Sequence, residues 1–127
     1  MKKISITHFN NAHGDWLRSL DFYKQELALL RERLTGIAGK NSHQDVLKQV
    51  EHFENQFALQ AENMDILSHE IKANVAAIAG QAHESAAGYV DGAFLAQHNM
   101  LGSEFQREEK VINELRHSFN LFSSEWM

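Results

Sequence analysis

From Val46 to Ile78 the apolar residues Val46, Val50, Phe53, Phe57, Met64, Leu67, Ile71 and Ile78 share one a/d heptad track. Only Gln60 and Asn74 break it with polar side chains. A seam of this length without Pro or Gly specifies a long helix packed lengthwise against other helices. At 1.5 Å per residue it would run roughly 50 Å. The rest of the chain has to supply its neighbours.

Trp16, Leu20, Tyr23, Leu27, Leu30, Leu34 and Ile37 follow each other at spacings of four and three without a miss. Asp15 after Gly14 reads as the N-cap of this first helix, and Gly39 as its C′ residue. Ser42 with Asp45 resembles a capping box that opens the second helix. A connection this short makes the first two helices antiparallel neighbours. The second helix ends near either Gly80 or Gly88. The later end is preferred, because Ala76–Ala79 and Ala82–Ala87 surround a single tolerable Gly.

Tyr89-Val90-Asp91-Gly92 reads as a turn, with Asp91 as the next N-cap and Val90 with Leu95 as a hydrophobic staple. Beyond it Phe94, Leu101, Phe105, Ile112, Leu115, Phe119, Phe122 and Trp126 form a third seam, interrupted by His98 and Glu108. The expected fold is therefore all-α: an antiparallel three-helix bundle, elongated and coiled-coil-like, with a non-helical N-terminal arm. Its parts are an arm over 1–14 and helices over about 15–38, 43–87 and 92–125, in one domain spanning 1–127. Ile4 and Ile6 alternate like a strand, but no second strand is evident, so Ile4, Ile6 and Phe9 are read as anchors laid across the helices. The complete lack of Pro among 127 residues agrees with a chain of few connections.

A second apolar stripe stands apart from the seams. Phe22 and Leu29 occupy c positions on the first helix, and Leu59 and Ile66 occupy c positions on the second. Position c lies about 130° from the a/d seam, so these residues belong to another face. Folding back about Ser42 sets Phe22 near the level of Leu59. These four are the candidate interface, covered either by the arm or by a second subunit. A homodimer about a two-fold axis is the expected solution, with a further protein partner also possible.

Net charge is −5 with dispersed Lys and Arg, which argues against nucleic acid. No apolar run approaches 18 residues, so no membrane span is expected. The lysines at the start have no apolar stretch behind them, and the expected location is cytoplasmic. There is no Cys, hence neither thiolate chemistry nor disulfides.

The unusual count is eight histidines. Ferritin-like and hemerythrin-like metal patterns are missing: the one Glu-x-x-His, Glu114 to His117, sits at c and f. His13, His43 and His98 fall at a positions if their helices reach them, and a metal site using His98 with His8 or His13 is the alternative to a packed structural role. Asn74 would share a polar patch with His98, and Gln60 would set register. His52, His69, His83 and His117 face outward. Glu108, on a seam, would need Arg18 or Lys72 as partner. No nucleophile elbow exists, and Gly39-Lys40-Asn41-Ser42 lacks the first Gly of a P-loop. The expectation is a non-enzymatic interaction or structural module without cofactor. Protonation of all eight histidines would take the charge to about +3, suggesting a dimer that loosens near pH 5.

Overall fold

The computed structural model describes residues 4–84, 89–90 and 92–126. Three long helices pack against one another: α1 Ile6–Lys40, α2 Gln44–Glu84 and α3 Gly92–Trp126. At the end where α1 begins and α2 ends, a two-residue ladder joins β1 Ile4–Ser5 to β2 Tyr89–Val90, antiparallel, with Ile4 opposite Val90 and Ser5 opposite Tyr89. The all-α three-helix bundle expected from the heptads is the fold that forms.

The a/d residues are the core. Leu20, Leu27, Leu34, Phe57, Met64, Ile71, Leu101, Ile112 and Phe119 are all buried in one continuous cluster. Phe53 and Phe57 meet Phe119 with ring centroids 5.4 and 5.3 Å apart, and Phe53 meets Phe122 at 5.1 Å. Aromatic pairs at this spacing add to the area they bury. The carboxy-terminal aromatics are thus spent on packing α3 against the start of α2.

Several sequence expectations change. The arm expected over 1–14 is helical from Ile6 onward, because Phe9 and His13 continue the a/d track of Trp16 and Leu20 backward by two turns. Phe9 is fully buried and His13 nearly so, and that burial outweighs the roughly 1 kcal/mol that Gly14 costs a helix interior. Asp15 is therefore no cap; it pairs with Arg18 on the exposed face. The strand-like alternation at the start does find a second strand in Tyr89–Val90, whose residues suit a strand better than the turn expected there. The side chains of Ile4 and Ile6 lie outside the described residues.

α1 also runs through Gly36 and Gly39 to Lys40, where Asn41 Nδ2 donates to the carbonyl of Ile37 at 2.8 Å and satisfies one terminal acceptor. The cap of α2 is His43 rather than Ser42. Its carbonyl accepts from Leu47 N at 3.1 Å and its Nδ1 accepts from Asp45 N at 3.3 Å. His43 is accordingly exposed, not inward at an a position. α2 passes Gly80 and reaches Glu84; residues 85–88 and Asp91, and the side chains of His83 and Val90, lie outside the described residues.

Ion pairs fix which sides of the helices meet. Arg31 with Glu54 and Lys24 with Asp65 join α1 to α2. Glu26 with Arg116, and Tyr23 donating to Glu109 Oε2 at 2.8 Å, join α1 to α3. In this register Phe22 is level with Ile66, and Leu29 with Leu59. This differs by one heptad from the expected Phe22–Leu59 level, as the Lys24–Asp65 and Arg31–Glu54 pairs require.

Candidate functional site

Three histidines and an asparagine come together at the ladder end of the bundle. α1 delivers His8, Phe9, His13 and Trp16 from its first three turns, α3 delivers His98 from its second, and α2 delivers Asn74. Asn74 is 0% exposed, His13 1% and His98 7%, while His8 stands exposed.

His98 is packed among aromatic rings. Phe9 is tilted 47° to it with centroids 4.3 Å apart, and Trp16 stacks at 4.9 Å and 28°. His13 meets His98 edge-on at 5.1 Å and 76°. His13 Nε2 and His98 Nδ1 are 3.4 Å apart, so one ring donates and the other accepts a single shared hydrogen. His8 reaches the outer side of the group, 6.4 Å from His98 by centroids. The Trp16 ring lies flat because Gly102 leaves room for it. A Cβ there would come within 3.2 Å of Trp16 Cζ2.

Both buried rings are held below the usual imidazole range. Desolvation is the main cause of the drop in His13 to about 4, with the neighbouring His98 adding to it and the Asn74 side chain opposing it. His98 is lowered by burial first and by His8 second. The Asn74 amide lies near enough to His13 to favour its charged form. Even so, neither amide atom of Asn74, nor His13 Nδ1, meets a partner at hydrogen-bonding geometry among the described residues. Buried polar groups left in this way are costly and uncommon.

The structure thus gathers the expected candidates His8, His13 and His98, with Asn74 beside His13 in the same polar patch. Among the described residues no group of three or more His, Asp or Glu side chains is arranged to hold a metal ion. The remaining histidines with described side chains, His43, His52, His69 and His117, are exposed. Sequence reasoning did not find the Phe9 and Trp16 contacts with His98 or the Gly102 notch. The available signal was the spacing of Phe9, His13 and Trp16, which continues the seam.

A second polar feature lies between α2 and α3. Gln60 is 5% exposed, and its side-chain nitrogen donates to both carboxylate oxygens of Glu108 at 2.9 and 2.7 Å. Gln60, not the expected Arg18 or Lys72, is therefore the partner of Glu108. Burial pushes the Glu108 carboxyl up. One turn away Glu104 is also raised, by burial and then by its hydrogen bond to Glu70. An open groove of about 290 Å³ runs past these groups, with Ile66 and Arg107 on its rim.

The four expected interface residues are exposed but do not form one stripe. On α1, Glu26 and Tyr23 turn toward α3 while Lys24 and Arg31 turn toward α2, so Phe22 and Leu29 border the α1–α3 side. On α2, Ile66 borders the α2–α3 groove, and Leu59 shares its heptad position. α3 adds Met100 and Leu121 at its own c positions on that same side. No family model, curated protein or solved structure matches the chain, and among the described residues no helix is long and apolar enough to cross a membrane.

Proposed function

We propose that the chain is a non-enzymatic helical module that works by binding protein, its first partner being a second copy of itself. One observation carries this reading: large apolar side chains stand about half exposed at c positions of all three helices. Phe22 is 51% exposed, Leu29 54%, Leu59 47%, Ile66 51%, Met100 53% and Leu121 61%. Single exposed apolar residues need no explanation, but a set repeated at heptad spacing marks an interaction surface. The burial of the His13–His98 pair among aromatic rings supports the same reading, as a packing role for these polar residues.

Sedimentation velocity tests it. The wild-type chain is expected to sediment as a dimer, and a Leu59→Glu, Ile66→Glu chain as a folded monomer. A wild-type monomer across the accessible concentration range would refute self-association.

A cation-binding reading is favoured by one distance. His13 Nε2 and His98 Nδ1, 3.4 Å apart, match the roughly 3.3 Å between two imidazole nitrogens bound at about 2.0–2.1 Å to a tetrahedral ion. Elemental analysis of untagged protein and of His98→Ala separates the readings. Stoichiometric zinc that disappears in the variant would establish metal binding, and its absence from both would leave the pair structural.

A further inference from the structure

The α2–α3 face carries a pattern that matches itself in reverse. On α2 the exposed apolar c residues are Leu59 and Ile66, and the point midway between them falls between residues 62 and 63. On α3 the four c residues in order are Met100, Arg107, Glu114 and Leu121, and their midpoint falls between residues 110 and 111. Contacts between the helices put these two midpoints level. Phe53 meets Phe119 and Phe122, Phe57 meets Phe119, Gln60 meets Glu108, and Glu70 meets Glu104. Ile66 and Arg107 accordingly border the same stretch of groove.

A single two-fold axis, perpendicular to the helices and lying in the plane of the interface, can therefore serve both helices at once. We propose that two copies of this chain pair through the α2–α3 face about that axis, α2 antiparallel to the partner's α2 and α3 antiparallel to the partner's α3. Leu59 then packs on the partner's Ile66, Met100 on the partner's Leu121, and Arg107 pairs with the partner's Glu114, each contact occurring twice. This rests on the self-association reading above and specifies its geometry.

The centre of the face selects this pairing: four apolar c residues meet across the axis and Arg107 lies opposite the partner's Glu114 twice, while Glu62 and Lys110 pass their own copies on the outer flanks, away from the groove. The same operation on α1 would gather only Phe22 and Leu29, half the number of exposed apolar c residues that the α2–α3 face brings together. The contacts form a small apolar patch closed by two ion pairs, a pattern that sets orientation and register.

The full chain contains no Cys, which makes cross-linking direct. Leu59→Cys and Ile66→Cys chains are oxidised separately and as a mixture. In the proposed pairing two copies of the same Cys are about 10 Å apart along the helix axis, seven residues at about 1.5 Å each, beyond disulfide reach. The expected result is a disulfide dimer in the mixture and little in either chain alone. Charge reversal is the second arm, read by sedimentation. Arg107→Glu and Glu114→Arg should each weaken the dimer about tenfold or more, and the doubly reversed chain should recover it. A dimer that cross-links in the separate chains, or ignores both reversals, would overturn this pairing while leaving self-association intact. A wild-type monomer would overturn both.

Discussion

Replacing His13 by Gln should remove a defined part of the protein's sensitivity to acid. Gln carries its side-chain nitrogen to about the place of His13 Nε2, so it can still donate to His98 Nδ1, but it does not titrate. In the folded chain His13 is held down at about 4, against an ordinary value of 6.5. Between those two values the unfolded chain binds a proton that the folded chain refuses. Stability therefore falls as pH drops through 6.5, and the loss is complete below 4. Between pH 8 and pH 5 the unfolded histidine becomes almost fully protonated while the folded one stays mostly neutral. The difference is about 1.5 pH units, or about 2 kcal/mol at 1.36 kcal/mol per unit.

That is a large share of the roughly 5–15 kcal/mol by which a domain is stable. Urea unfolding of both chains at pH 8 and pH 5 reads it out. The wild-type protein should lose about 2 kcal/mol more than His13→Gln over this interval, which shifts the midpoint by on the order of 1 M. Comparing the two chains cancels other titrating groups. His98 is depressed too and adds to the acid sensitivity of both chains, whereas the raised Glu104 and Glu108 oppose it in both. Equal pH slopes in the two chains would refute the assignment of a desolvated, neutral His13. Side-chain NMR offers a direct check, since the His13 imidazole should still be neutral at pH 5.

Two further substitutions probe the packing and the groove. Gly102→Ala places a Cβ 3.2 Å from Trp16 Cζ2, so the roughly 1 kcal/mol normally gained from replacing Gly in a helix should be cancelled or reversed. Gly36→Ala and Gly80→Ala, where no atom lies within 4 Å of the new Cβ, should show that gain in thermal melts. Because the Glu108 carboxyl is raised by burial, its folded state binds a proton more readily than the unfolded chain, and acidification favours folding through this group. Glu108→Gln should therefore gain most over wild type at pH 8 and converge with it near pH 4.5. A gap in urea midpoint that widens on acidification would contradict that sign.

The heptad pattern made the bundle legible because a/d periodicity is a local property and burial follows it directly. Phe57, Met64, Ile71, Ile112 and Phe119 are buried as the spacing required. The same pattern extended to Phe9 and His13, but Gly14 and Asp15 together imitate a helix start. Only the burial of those two residues against α2 and α3 reveals that the helix continues. His43 shows the converse case. Its position on the repeat pointed inward, yet it lies in the connection and caps α2, because Gln44 is where α2 begins.

For the candidate site the residue types could be read and their relations could not. His13 and His98 were recognisable as inward polar residues of a helical chain, and His8 as a candidate beside them. That His13 and His98 share one hydrogen, that Phe9 and Trp16 pack against His98, and that Gly102 makes space for Trp16 depend on contacts between residues far apart in the chain. The c-position residues divide in the same manner. Their spacing is written in the sequence, so their exposure is too. Which of them share a face depends on the side to which each helix turns its neighbours, and heptads say nothing about that choice. The sequence by itself determined three amphipathic helices and their seams, because helical period and burial are encoded residue by residue. The tertiary structure alone decided that Leu59, Ile66, Met100 and Leu121 belong together and that Phe22 and Leu29 do not, because handedness and level arise only when three seams close around one core.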